Sequence, residues 1–300
     1  FTLVEMVVVI AVLGVLFTIL IGITRVVVSQ QRYQTTRARM ANLDNALTVY
    51  VSQYRRLPCP ADGALASSDP NAGLELPPSG IPITCPNNQA RGVVPWRALG
   101  LTPSDAEDGW GGRFTYRVGP DLVADNSMDL TACDPAGTNT TVIAAPPYCN
   151  SACSSANLAN CTAPATALTP GTSTGRGLVI HSVATATLGQ PPLMDPRGNS
   201  GTGPSTGAAY ALVSHGPEGG GAYSGDGVLT SSTVAPGTME ANNFADRAWV
   251  KPPASPGAPT VYLVDDVVNA TATVSHFDDI VSRPGILALA IKAGIGPRAH

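Results

Sequence analysis

Positions 6 to 23 carry eighteen residues without a charge, and the one ionisable side chain ahead of them is Glu5. At about 1.5 Å per residue a helix of that length covers about 27 Å, near the low end of what spans a bilayer core. Arg25 closes the run. Beyond it Val26, Val27, Tyr33, Met40, Leu43, Leu47, Tyr50 and Tyr54 recur at helical spacing among Arg32, Arg37, Arg39 and Asp44. That pattern predicts that the helix continues, amphipathic now, to about Tyr54 and stops before Pro58. Residues 1–54 therefore read as one long helix with a membrane half and an amphipathic half. Gly14 and Gly22 each cost such a helix about 1 kcal/mol relative to alanine. Close packing on another helix and local unwinding are both compatible with them.

Residues 55–300 read as a globular head packed on the amphipathic half. Residues 57–63 mark the helix exit, and 64–90 lack apolar periodicity. Order resumes at 93–99, and the turn Asp108-Gly109-Trp110-Gly111-Gly112 leads into a β-type run, Arg113 to Val118. Further strands are predicted in 177–183 and 208–214, and 262–264 and 277–281 supply late apolar runs. Residues 119–175, rich in Cys, Ala and Thr, read as an insertion. The expected class is α+β: the helix laid on an antiparallel sheet, with disulfide-stapled loop insertions.

Composition adds mainly exclusions. Gly (31) and Pro (27) are abundant in the 300 residues, charged residues make up 13%, and the net charge is −4, so no basic nucleic-acid surface is indicated. Glu5 is the exception within its surroundings. A carboxylate beside hydrocarbon costs roughly 2.5–3.5 kcal/mol on insertion scales, so it calls for a partner or a role, unless the run is a plain anchor whose border acid stays among the lipid headgroups. The start at Phe1, with no basic segment before the apolar run, reads as the product of processing.

Phe1-Thr2-Leu3-Val4-Glu5 followed by an apolar helix resembles the mature start of type IV pilins and type II secretion pseudopilins. The resemblance implies cleavage before Phe1, methylation of the Phe1 amine, and pairing of Glu5 with the Phe1 amine of a neighbouring subunit. It implies a structural, non-enzymatic subunit of a homo-oligomeric helical filament, held at the inner membrane by its assembly machinery and extracellular once assembled. Many pilins of this kind carry a Pro near the position of Gly22, and their helix unwinds between it and the earlier glycine. This chain departs there, so unwinding between Gly14 and Gly22 is permitted rather than compelled. Major pilin, minor tip pilin and pseudopilin all remain open, as does a membrane-tethered periplasmic enzyme or binding module.

An exported chain with six cysteines favours disulfides. Clustering suggests a Cys59–Cys85 bridge around the Pro-rich loop and two more among Cys133, Cys149, Cys153 and Cys161, whose connectivity sequence does not settle. A zinc set is disfavoured because no His lies near Cys149 and Cys153.

Three constellations have chemical interest. Ser214-His215 followed by a Gly-rich stretch invites a hydrolase reading, yet neighbours on a strand point to opposite faces and cannot share a proton. The stretch resembles a turn of large pilin-like proteins and the loop of major pseudopilins that leads into a calcium site. By that resemblance calcium at Asp226 with Glu218 is an expectation, alongside no cofactor at all, although insertions break the ligand pattern. The acid set extends to Glu240, Asp246, Asp265 and Asp266. Asp278 and Asp279, in Phe277-Asp278-Asp279-Ile280-Val281, read as structural, capping a short helix.

Overall fold

A computed structural model describes residues 2–80, 84–129, 177–183, 193–194, 207–230, 240–247, 262–267 and 277–296; the side chains of 18–26 and 121 lie outside that description. Helix α1, Leu3–Tyr54, starts on Thr2, an extended N-cap whose hydroxyl accepts from the Glu5 amide while the Glu5 carboxylate accepts from the Thr2 amide. This reciprocal pair satisfies two donors that a helix start otherwise leaves bare. The helix is unbroken through Gly14 and Gly22 and ends where Arg55 turns left-handed, φ 54°, its amide donating to the Val51 carbonyl.

The expected division into a membrane half and an amphipathic half requires correction. No helix among the described residues is long and apolar enough to cross a membrane. A span of that kind takes about 20 consecutive apolar residues, and the apolar side chains described at the start of α1 are those of residues 3–17.

The head is built on a five-stranded antiparallel sheet: β1 (Ala61–Asp62), β2 (Gly92–Val93), β3 (Thr115–Val118), β5 (Tyr210–Ser214) and β7 (Ile280–Ser282), adjacent in that order. Two further strands, β4 (Ile180–His181) and β6 (Leu263–Val264), pair in parallel in a sheet of their own. The head is therefore mixed rather than wholly antiparallel. Thr115 to Val118 oppose Val213 to Tyr210, and Leu212, Val213 and Ser214 oppose Ser282, Val281 and Ile280.

Strand alternation sorts these residues onto two faces. Tyr116, Val118, Tyr210 and Leu212 join Met40, Leu43, Leu47 and Val51 of α1 in one core, closed at its end by helix α2, Ile286–Lys292. The opposite face presents Thr115, Arg117, Ala211 and Val213. Ala211 packs there with Leu178, Ile180, Ala208 and Leu263. The parallel pair thus covers the sheet on the side away from α1.

Several other expectations need adjusting. Cys59 and Cys85 form a disulfide, whereas Cys133, Cys149, Cys153 and Cys161 lie outside the described residues. The start of the expected insertion belongs to the core: Leu122, Val123 and Met128 are buried. The Leu122 carbonyl accepts from Leu57, and Met128 donates to Arg55. Asp278 and Asp279 do not cap a helix; they precede β7. The short helix begins later, at Ile286, with Gly285 as its N-cap.

Candidate functional site

The first region of interest is the amino-terminal end of α1. Twelve large apolar side chains between Leu3 and Phe17 are at least half exposed, with Leu3 at 83% and Phe17 at 65%. Glu5 stands among them, its Oε2 accepting the Thr2 amide at 2.7 Å and its own amide 3.4 Å from the Thr2 hydroxyl. Within the single chain the acid is thus held by the helix's own terminus, where the positive end of the dipole also favours it. Phe1 lies outside the described residues. An alanine-sized group at Gly14 would meet nothing within 4 Å, so packing within the chain does not require that glycine.

The head grips α1 through the turn that precedes β3. Gly109 donates to the Thr36 hydroxyl at 2.9 Å, and a Cβ on Gly109 would sit 2.4 Å from the Arg32 carbonyl, so this approach requires glycine. Arg39 donates to the carbonyls of Glu107 and Asp108, and the Trp110 ring meets Tyr33 edge-on at 4.8 Å. Asp108 organises the turn by accepting from Trp110 and Gly112 through Oδ1 and from the Ser214 hydroxyl through Oδ2 at 2.7 Å. Further along, Asp44 accepts from the Tyr210 hydroxyl at 2.8 Å and the Ser282 hydroxyl at 2.9 Å, bolting α1 to β5 and β7. Burial pushes the Asp44 carboxyl up from its ordinary value, and the two hydroxyl donors partly offset this.

The second region lies on the far face. His215, two residues after Val213 and so on the same side of the sheet, places Nε2 2.7 Å from the Thr115 hydroxyl. Its Nδ1 is 3.5 Å from Asp279 Oδ1 and makes no hydrogen bond. Asn243 donates to Asp279 Oδ2 at 2.8 Å, and the Asp278 amide donates to Glu240 Oε1 at 2.6 Å. One oxygen from each of Glu240, Asp278 and Asp279 lies within 4.8 Å of the others, all three residues being buried. Burial, reinforced by the charge of Asp279, pushes Glu240 up to about 8.

The chain Asp279–His215–Thr115 has the residue types of a nucleophilic triad. Thr115 is fully buried and His215 nearly so, which leaves no approach for a substrate to the hydroxyl. Ser214 is separate from this group, since alternation sends it to the α1 side and onto Asp108.

Of the calcium candidates, Glu218 and Asp226 are both exposed, and among the described residues neither joins a third acid, His or Cys at ligand spacing. The acids that do converge, Glu240 with Asp278 and Asp279, are 38 residues apart in the chain. Adjacent carboxylates hinted at half of that set. The roles of Asp44, Asp108, Thr115 and Asn243 were not anticipated; polar residues alternating with Phe114, Tyr116 and Val118 were the one available signal of a polar far face.

No protein-family model matches the chain, and neither a curated protein nor a solved structure is significantly similar to it.

Proposed function

We propose that this chain is a structural subunit of a type IV pilus or pilus-like extracellular filament, assembled by packing the amino-terminal part of α1 against the same part of other copies. The observation that carries the reading is the dozen exposed apolar side chains over residues 3–17, accompanied by a single acid. Soluble monomers rarely leave contiguous apolar patches beyond a few hundred Å². If each side chain exposes on the order of 80 Å², their burial is worth roughly 25 kcal/mol before the cost of association is subtracted.

Glu5 fits the same picture. It is held by the Thr2 cap in a single subunit, and a carboxylate accepts more than one donor. The amine of a neighbouring Phe1, methylated by resemblance, supplies the opposite charge as both groups leave water, which penalises misplaced copies and relieves docked ones. In this reading the subunit is held at the inner membrane by the assembly machinery before incorporation and lies at the cell surface afterwards. It works as a building element rather than an enzyme.

Glu5→Leu in the full chain tests this. The expected result is loss of the subunit from sheared filaments, seen by immunoblot and electron microscopy, at unchanged cellular abundance. Undiminished incorporation of the variant would remove the role given to Glu5. The amount of wild-type chain in those filaments separates a major subunit from a minor tip pilin or pseudopilin.

A further inference from the structure

The far-face pocket has a composition that the filament reading does not use. We propose that Glu240, Asp278, Asp279 and His215 form a binding site for a first-row divalent cation of the Zn²⁺ or Mn²⁺ type. Three carboxylates, each no more than 4% exposed, converge so that one oxygen of each lies within 4.8 Å of the others. Ligands about 2.1 Å from a common ion are separated by roughly 3–4.3 Å, so a small contraction brings these oxygens onto one centre.

The imidazole is the independent sign. His215 is 2% exposed, and its Nδ1 is buried with no hydrogen-bond partner although Asp279 Oδ1 is only 3.5 Å away. The two atoms stand close with no hydrogen bond between them. About 3.5 Å is the spacing of two neighbouring ligands on one ion. The other ring nitrogen is already tied, with Nε2 2.7 Å from the Thr115 hydroxyl. In the tautomer whose Nε2–H donates to Thr115, Nδ1 carries a bare lone pair 3.5 Å from Oδ1 of Asp279, one of the three converging acids. Metal-binding histidines are oriented in this way, by donating their second N–H to a fixed oxygen. Asn243 does the same for the carboxylate, holding Asp279 through Oδ2 and leaving Oδ1 towards His215.

The mixed donor set selects among ions. Calcium and magnesium take oxygen ligands, while imidazole with carboxylate suits zinc and manganese. Glu240 belongs to the 3-10 turn Glu240–Asn243, His215 follows β5, and Asp278 and Asp279 precede β7. An ion here ties the 3-10 turn to the end of the β5–β7 ladder, whose last pair is Ser214 with Ile280.

The experiment uses the purified full chain, stripped with chelator and titrated with ZnCl₂, MnCl₂ or CaCl₂ by calorimetry, with thermal unfolding in parallel. Zinc or manganese should bind with one ion per chain and raise Tm. Glu240→Gln keeps the oxygen that accepts from Asp278 while removing a charged ligand. It should weaken binding at least tenfold with no loss of metal-free Tm, and His215→Gln should weaken zinc at least tenfold. The site is refuted if no ion binds, if Glu240→Gln binds as the parent does, or if Asp226→Asn abolishes binding instead. Binding of calcium alone, indifferent to His215→Gln, overturns the assignment of the imidazole.

Discussion

Tyr210→Phe removes one hydroxyl and leaves the ring, so it isolates the bond that helps fix α1 to the sheet. Asp44 lies on α1 and accepts from Tyr210 on β5 and Ser282 on β7. A hydrogen bond to a charged group contributes about 1.5–3 kcal/mol, and losing it leaves a partly buried carboxylate oxygen without that donor. We expect a destabilisation of about 2 kcal/mol near pH 7. In an Asp44→Leu background the same change should cost almost nothing, because no carboxylate remains to be orphaned. The pH dependence follows from the direction of the Asp44 shift. Its folded value is raised by burial, so below that value the native state holds a proton that the unfolded chain has not yet taken up, and stability rises as pH falls through that window. The Tyr210 hydroxyl itself is pushed far above the usual range and stays a donor throughout. Since its bond favours ionised Asp44, its loss widens the window, and the deficit should be largest above pH 7 and shrink towards pH 4. Urea unfolding of the four chains of the double-mutant cycle at pH 4, 6 and 8 measures this. A coupling below about 0.5 kcal/mol, or a deficit independent of pH, would show that Tyr210 acts through ring packing alone.

Three further outcomes are expected. Replacing Cys59 and Cys85 by alanine opens a loop of sequence separation 26, which by chain entropy costs about 3.5 kcal/mol; differential scanning calorimetry should show Tm lower by roughly 7–14 °C, and an unchanged Tm would mean that the loop is ordered by other contacts. Gly73→Ala places a Cβ 2.1 Å from the Trp96 ring at a left-handed φ of 73°, so it should cost at least about 2 kcal/mol in urea unfolding. Arg117→Lys should loosen residues 244–247, seen as faster amide exchange there than in β3, because an ammonium lacks the planar fork that reaches several carbonyls at once.

The contacts of α1 with the head were legible where they depend on spacing alone. Met40, Leu43, Leu47 and Tyr50 were read from the helical period, and all four are buried. Asp44 was read as part of the polar stripe because its partners, Tyr210 and Ser282, lie more than 160 residues away, and local periodicity carries no trace of them. The length of the apolar run misled in the other direction: composition supplied eighteen uncharged positions, while among the described residues no helix meets the requirement for crossing a membrane. On the far face, the objection to Ser214 and His215 acting together followed from strand parity. The union of His215 with Asp279 and Thr115 depends on register between β3, β5 and β7, which no single segment encodes. The short helix was expected too early, at Asp278 and Asp279, because the seven residues of α2 behind Pro284-Gly285 are too few to show a period.

The two interior arginines bear on how this head can change over time. Arg113 reaches the carbonyls of Gly63, Leu65 and Gly225 and the Ser67 hydroxyl. Arg117 reaches those of Gln89, Phe244, Ala245 and Arg247. Seven of these eight acceptors belong to the main chain, which every residue type supplies alike. The loops are thereby fastened by a feature that substitution cannot erase. Their outward side chains are free to drift, so this surface can be rewritten residue by residue while its backbone trace stays in place.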